Sequence, residues 1–469
     1  MKIKALFMIT LARHVNAIRS SLYHSQRFLK SKGLAMSSVT TNSEVENKSF
    51  SEKDVQSKFL KTMIERGFFH QCSDLEGLDR ELVSQKSNFS AYLGFDATAD
   101  SLHVGSLTQI MILRHLQNCG HKPLVLIGGG TTRIGDPSGK DESRKLLDDE
   151  AIERNKEGIT SIFHKFLHFG SKDTDALLVD NDDWLRELKY IDFLRSYGPH
   201  FTVNRMLALD SVKSRLVREQ PLTFLEFNYV LLQAYDFLEL YSRHGCSLQM
   251  GGSDQWGNMV SGVELGRRVA GASLFALTAP LITTSDGKKM GKSASGAVWL
   301  NSDRLSPFDY WQFWRNTEDS DVIRFLKLFT ELPIEKINEL SQLRGKDIND
   351  AKVLLADETT KMLHGEECLK EIKMTSKQLF SGEDGGKVGG GLPRISFGID
   401  EIEKGLNILE VYLKADLASS KGEVRRLIKG GGAKINDTKI IDETMMIVKE
   451  DFAKGEIKLS SGKKKHVIL

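Results

Sequence analysis

Apolar and polar residues recur with two different periods along this chain, and each change of period marks a change of element. In "DVQSKFLKTMIERGFF" the residues Phe59, Met63 and Ile64 fall on one side of a helix. "SDLE", Ser73 to Glu76, has the Ser-x-x-Glu spacing of a capping box and predicts the start of the next helix. "FSAYLGFD", Phe89 to Asp96, alternates as a strand does, and "ATADS" turns the chain. From Val104 to Cys119 the apolar positions Leu107, Ile110, Met111 and Leu116 return to helical spacing and stop before Gly120, a residue suited to the left-handed position after a helix. "KPLVLIGGG" then reads as a buried strand. Strand, helix and strand in this order predict a parallel sheet whose ligand site lies beyond the carboxyl end of the first strand.

The junction "SLHVGSLTQI", Ser101 to Ile110, puts His103, Gly105 and Ser106 on the first turn of that helix. A helix N-terminus offers backbone N–H groups and a positive dipole end to an anion, and His103 adds a side-chain donor. Gly105 lacks a Cβ, so a flat base could approach the backbone there. Read alone, the same residues fit a surface histidine and a glycine that serves only helix–strand packing, and both readings stand at this point.

Composition narrows the field. A chain of 469 residues predicts two or three domains. Its apolar share of 40% and charged share of 27% are those of a globular protein, with no apolar run long enough to span a bilayer. Cys72, Cys119, Cys246 and Cys368 lie far apart with no Cys-x-x-Cys spacing, which argues against a zinc site or a disulfide framework. The charge is uneven. Of the 65 basic residues, seven (Lys2, Lys4, Arg13, Arg19, Arg27, Lys30, Lys32) precede the first acidic residue, Glu44, which leaves 58 against 63 acidic ones in the body. The basic, acid-free stretch with Ile3, Leu6, Phe7, Ile9 and Leu11 predicts an organelle transit peptide over residues 1–48, directed to the mitochondrial matrix, with a plastid or both as alternatives. A mildly acidic body excludes indiscriminate nucleic-acid binding, so any RNA contact must be local.

Two glycine-rich segments test the nucleotide chemistry. "GKKMGKS", Gly287 to Ser293, would be a P-loop only with glycine at Asp286, and "GDPSGK", Gly135 to Lys140, is followed by Asp141 instead of Ser or Thr. Both fail on spacing. What remains is a loop with Lys288, Lys289 and Lys292 between glycines, able to close over a triphosphate.

Taken together, "HVGS" at a first βα junction and "KMGKS" downstream resemble the paired signatures of class I aminoacyl-tRNA synthetases. "YLGFDATADSLHVGS", "GDPSGKDESR", "FNYVLLQAYDF" and "GGSDQWGN" are similar to the bacterial and organellar tyrosyl-tRNA synthetases, from about Val55 to the C-terminus. The resemblance implies that Tyr92 and Asp236 hold the phenol hydroxyl of L-tyrosine, and that Asp136, Tyr229, Gln233 and Gln255 surround its ammonium group. Tyr229, Gln233 and Asp236 are spaced i, i+4, i+7, so one helix face can carry all three. His103, Lys289 and Lys292 are implied donors to the pyrophosphate leaving group, with Lys140 and Arg144 as auxiliaries, and the Ser106 hydroxyl is a neutral donor able to reach a phosphate or ribose oxygen from the first turn. Asp96, Thr98 and Asp254 match positions near phosphate and ribose, Gly94, Gly105, Gly251 and Gly252 allow close backbone approach, and Met290 belongs to the signature loop. ATP is the second substrate, Mg2+ accompanies it, and no dedicated metal cage is read. The chain departs from the family pattern at Ser106, where a second histidine is common, and at Ala97, where a proline is common.

The fold class expected is α/β: a Rossmann-like parallel-sheet catalytic domain over 49–300, then an α-helical anticodon-binding domain over 301–379 and a Gly-rich linker over 380–403. A small α+β RNA-binding module of the alpha-L type follows over 404–469, with Arg425, Arg426 and Lys429 on a helix and Lys434 and Lys439 on a hairpin. The function implied is ATP-dependent attachment of tyrosine to tRNA(Tyr) through tyrosyl-adenylate, by a homodimer that does not enter a membrane. The alternatives are a non-catalytic or bifunctional intron-splicing protein on a synthetase scaffold, and a tryptophanyl-tRNA synthetase.

Overall fold

The computed structural model describes residues 50–469 except 86–88, 139–146, 286, 288–289, 294–295, 382–391, 393, 453–454 and 463–464, and leaves the side chains of 292, 293 and 378–381 undescribed. The expected transit peptide, most of the Gly-rich linker, and Lys140, Arg144 and Lys289 lie outside the described residues.

Six strands form the central sheet: β1 (Gln71–Cys72), β2 (Ser90–Asp96), β3 (Lys122–Gly128), β4 (Leu177–Asp180), β5 (Leu248–Gly252) and β6 (Phe275–Ala279), in the order β1-β6-β5-β2-β3-β4. All pairs are parallel except the edge pair of β1 with β6. The sheet is thus mixed, with a parallel core of the Rossmann-like kind. Its order reverses at β2, which has β3 on one side and β5 on the other. A crevice opens where neighbouring crossovers leave to opposite faces, and ligands of open α/β sheets bind there.

The alternation of β2 serves two cores. Ala91, Leu93 and Phe95 pack into one cluster, while Tyr92 faces a second with Leu124, Leu126, Trp184 and Phe237. The first cluster does not stop at the sheet. It runs from Phe59 and Met63 of the helix Lys58–Arg66, through Leu107 and Met111 of the helix Val104–Asn118, to Trp314, Phe325 and Leu355 of the helices beyond residue 301. Arg66, buried, donates to the carbonyls of Lys327 (2.9 Å), Thr330 (2.8 Å) and Leu332 (2.7 Å), closing the end of the helix Val322–Phe329. A C-terminal unit has its own core, including Ile408, Tyr412, Val424 and Leu459, with a four-stranded antiparallel sheet against short helices.

One capping expectation fails. The helix after β1 starts at Leu75 with Asp74 as its cap, accepting from the Gly77 N–H at 2.9 Å. Ser73 instead turns its hydroxyl to the sheet edge and accepts from the Ala276 N–H at 3.0 Å. Asp is as good a cap as Ser, and the edge of β6 supplies Ser73 with a competing donor.

Candidate active site

A cavity of about 310 Å³ opens beyond the carboxyl ends of β2 and β5. Tyr92, Gly94 and Asp96 reach it from alternate positions of β2, Tyr229, Gln233 and Asp236 from one face of the helix Tyr229–His244, and Asp136, Gly251 and Gln255 from the segments after β3 and β5. Thr98, His103 and Ser106 close another side. Gly105, Gly252, Asp254 and Met290 are not part of this lining. Gly94 is exposed to the cavity, and a Cβ built on it meets only Leu126 Cδ2 at 3.9 Å, so the glycine leaves open space at the binding surface.

Two residues not singled out in the sequence build the deep end. Asn181 Nδ2 donates to Asp236 Oδ2 at 2.9 Å and Trp184 Nε1 donates to Asp236 Oδ1 at 2.8 Å, all buried. Burial nevertheless pushes the Asp236 pKa up to about 7, the two donors opposing the shift. The Tyr92 hydroxyl is buried with no hydrogen-bond partner among the described residues, and burial beside Asp236 raises its pKa well above the usual phenol value, which keeps it protonated. An orphaned buried hydroxyl costs about 1–3 kcal/mol unless a ligand meets it.

A second polar group lies nearer the mouth. Ser138 N–H (2.9 Å) and Gln255 Nε2 (2.9 Å) donate to the two oxygens of Asp136. Asn258 Nδ2 donates to Gln233 Oε1 at 3.0 Å and to Gln255 Oε1 at 3.2 Å. The Tyr229 hydroxyl reaches Asp96 Oδ2 at 3.2 Å, and Thr131 Oγ1 donates to Asp96 Oδ1 at 2.8 Å, so Asp96 stands on the same side as Tyr229.

The first helical turn differs from expectation. Val104 N–H donates to the Val298 carbonyl (2.9 Å), Gly105 N–H to His103 Nδ1 (3.0 Å) and Ser106 N–H to the His103 carbonyl (2.8 Å). These three backbone donors are already used, because the segment after the signature loop pairs with the chain before the helix and His103 caps its own helix. An incoming anion therefore meets side chains and the helix dipole. With Nδ1 accepting, the neutral ring carries its proton on Nε2. At Gly291 φ is +97°, and a Cβ there would stand 2.8 Å from His103 Nδ1 and 2.9 Å from Gly105 N, so only glycine lets the signature loop lie against this turn. Asp321 Oδ2 accepts from the Ser285 N–H at 2.8 Å and Arg324 donates to the Thr283 carbonyl, which ties the entry of the loop to the helix Val322–Phe329. Lys292 has its backbone paired with Ala297. At the other departure from the family pattern, the Ala97 N–H donates to Thr132 Oγ1 at 2.8 Å, a bond that proline could not make.

In the C-terminal unit Arg425, Arg426 and Lys429 are exposed on the helix Lys421–Lys429, and Lys434 pairs with Lys439 across a hairpin. Arg425 lies 3.4 Å from Glu443, an exposed ion pair that contributes little.

Comparison with known proteins matches residues 84–381 to the family described as tRNA synthetases class I (W and Y). The tyrosine--tRNA ligase of Methylocella silvestris is 57% identical over 414 residues, covering 88% of this chain and 98% of the relative, and that of Caulobacter vibrioides is 56% identical over the same shares. Among solved structures, a C-terminally truncated mitochondrial tyrosyl-tRNA synthetase of Aspergillus nidulans aligns with a TM-score of 0.62 at 29% identity, covering 70% of this chain and 96% of that one. The Coccidioides posadasii counterpart aligns at 0.58 and 28% identity, with 77% and 99% covered.

Proposed function

The chain belongs to the class I tRNA synthetases, among the tyrosine–tRNA ligases, and from that membership we propose how its own residues do the work. L-Tyrosine lies in the cavity with its phenol between Tyr92 and Asp236 and its ammonium group among Asp136, Tyr229, Gln233 and Gln255. The carboxylate then faces the region of His103 and Ser106, where ATP binds. A carboxylate oxygen attacks the α-phosphorus, the bond from that phosphorus to the bridging oxygen breaks, and pyrophosphate leaves. A ribose hydroxyl at the end of tRNA(Tyr) next attacks the tyrosyl carbonyl, and AMP departs with the electron pair of the mixed anhydride, its phosphate taking up the hydroxyl proton. Such transfers are accelerated by positioning and by donors aimed at developing charge. His103 Nε2 and the Ser106 hydroxyl are those donors, with Lys289 and Lys292 from the signature loop and Lys140 and Arg144 as auxiliaries. Asp96, Thr98 and Asp254, with the close approach allowed by Gly94, Gly105, Gly251 and Gly252 and the packing of Met290, serve the nucleotide. Mg2+ would travel with the phosphates of ATP, whose oxygens are its preferred ligands.

The observation that carries the amino-acid assignment is the unpartnered, buried Tyr92 hydroxyl beside an Asp236 already held by two donors. That pair suits a phenol, which can accept from one and donate to the other, and an indole could not do both. ATP–pyrophosphate exchange with tyrosine, phenylalanine and tryptophan tests it, with tyrosine alone expected to support exchange. Exchange driven by tryptophan would refute the assignment.

We read the protein as a homodimer. Tyr190 (59% exposed) and Phe224 (69%) are apolar side chains open to solvent that line, with Phe193 and Leu225, a cavity of about 490 Å³, and Ile191, Val203 and Val217 are exposed as well. Phe224→Asp should yield monomers in analytical ultracentrifugation. The exposed Arg425, Arg426 and Lys429, with Lys434, support tRNA contact by the C-terminal unit as an alpha-L module, on an otherwise acidic body. The basic N-terminal stretch, together with the likeness to two mitochondrial synthetases, supports the mitochondrial matrix. Fusing residues 1–48 to a fluorescent protein and finding it in the cytosol would overturn that.

A further inference from the structure

Around the proposed ammonium site, the carboxamides of Gln255, Asn258 and Gln233 each have two possible orientations, and the carboxylate of Asp136 fixes the first of them, which Asn258 passes on to Gln233. Asn258 is 5% exposed and absent from the cavity lining, yet its single Nδ2 donates to both Gln233 Oε1 (3.0 Å) and Gln255 Oε1 (3.2 Å). A carboxamide flips by 180° at little steric cost, and only its partners choose between oxygen and N–H₂. With both oxygens turned to Asn258, Gln255 has its Nε2 left for Asp136 Oδ2 at 2.9 Å. Gln233 Oε1 keeps a second lone pair, on a side chain that does line the cavity. Helix packing sets this geometry. Gly262 lets the helix Trp256–Ala270 approach the helix Tyr229–His244 so closely that a Cβ would meet Phe237 Cδ1 at 3.0 Å, which brings Asn258 within reach of Gln233.

We propose that Asn258 is a positioning residue for the amino end of the substrate. The Asp136 carboxylate can only accept, so Gln255 gives it Nε2 and turns Oε1 to Asn258, and Asn258 in turn holds the Gln233 oxygen, which makes Oε1 of Gln233 an acceptor with one lone pair left for the positively charged ammonium. Asn258 touches no substrate atom. In Asn258→Asp the donor becomes an acceptor of the same size, Gln233 turns its N–H₂ group toward it and loses the fixed acceptor offered to the ammonium, while Gln255 stays held by Asp136. The inference rests on tyrosine occupying the cavity as proposed above.

The test uses the full chain and two probes, L-tyrosine and 3-(4-hydroxyphenyl)propionate, which keeps phenol and carboxylate but lacks the amino group. Binding of each is measured by equilibrium dialysis to wild type, Asn258→Asp and Asn258→Ser, the last retaining one donor, alongside the KM for ATP in pyrophosphate exchange. Loss of a charge-assisted hydrogen bond predicts that Asn258→Asp binds tyrosine about tenfold to a hundredfold more weakly. The propionate and the KM for ATP should stay within about twofold of wild type, and Asn258→Ser should fall between. Equal weakening of both probes would show a role in holding the fold and overturn the proposal, as would unchanged tyrosine binding in Asn258→Asp. Failure of the wild-type protein to bind tyrosine in preference to the propionate would instead refute the ammonium site itself, and the role of Asn258 with it.

Discussion

Acidification should weaken tyrosine activation and strengthen the fold at the same time, because both effects originate at Asp236. Its carboxylate already accepts from Asn181 and Trp184, and it must be ionised to accept a third bond from the substrate phenol. With a pKa pushed up to about 7 by burial, its ionised fraction declines below neutrality, and kcat/KM for tyrosine should fall about tenfold per pH unit from there. The stability effect has the opposite sign. The folded pKa lies above the unfolded value, so the contribution is fully present below about pH 4 and is lost as pH rises through about 7. Between pH 8 and pH 5 the ligand-free protein should gain about 3 kcal/mol from this one group. Asp236→Asn removes the titration and leaves one of the two donors facing an N–H₂ group, at about 1–3 kcal/mol. That is less than the roughly 4 kcal/mol that burying the ionised carboxylate costs at pH 8, so the variant should melt no lower than wild type there while losing tyrosine activation. The assays are pyrophosphate exchange at subsaturating tyrosine and calorimetric melting, both from pH 5 to 8. A flat wild-type kcat/KM profile, or melting profiles of the same slope in wild type and Asp236→Asn, would refute the reasoning.

Three further outcomes are expected. His103→Ala should slow single-turnover adenylate formation by about 10²–10³, the usual loss for a donor to developing charge, whereas Ser106→Ala, removing one neutral hydrogen bond, should cost roughly twofold to tenfold. Equal defects would make the serine an essential ligand. Gly94→Ala places a methyl group in the open space of the cavity and should raise the KM for substrate without lowering the melting temperature, since the new Cβ meets nothing closer than 3.9 Å; a lowered melting temperature would mean that the glycine serves folding. Ending the chain at Leu392, which is buried and is kept, should preserve pyrophosphate exchange and impair aminoacylation at limiting tRNA; equal aminoacylation would remove the C-terminal unit from tRNA recognition.

The βαβ unit at the head of the sheet was legible because period-two and period-3.6 patterns abut there, and the stripe of Tyr229, Gln233 and Asp236 was legible because one helix carries it. Asn181 and Trp184 were not. They follow β4, more than fifty residues before the carboxylate they hold, and only the parallel pairing of β3 with β4 brings them to it. Asn258 sat inside the quoted "GGSDQWGN", but its task depends on the distance between two helices, which no local spacing reports. Of the used-up backbone donors of the first turn, that of Val104 depends on pairing with Val298, almost two hundred positions later, while those of Gly105 and Ser106 are taken by His103 nearby. The core shared by the sheet and the helices beyond residue 301 was also out of reach, since an amphipathic pattern shows which face is buried and not against what.

Arg66 gives this architecture a consequence in time. Its guanidinium finds its acceptors on Lys327, Thr330 and Leu332, the last 266 residues later in the chain. A ribosome adding about 5–20 residues per second needs roughly 15–50 s to make that stretch. Throughout that interval the nascent helix Lys58–Arg66 has emerged with Phe59, Leu60 and Met63 lacking much of the apolar surface that finally covers them. The earliest described α-helix to leave the ribosome is therefore among the last to be sealed, and protection of its backbone amides in pulse-labelled nascent chains should appear only after Leu332 has cleared the exit tunnel.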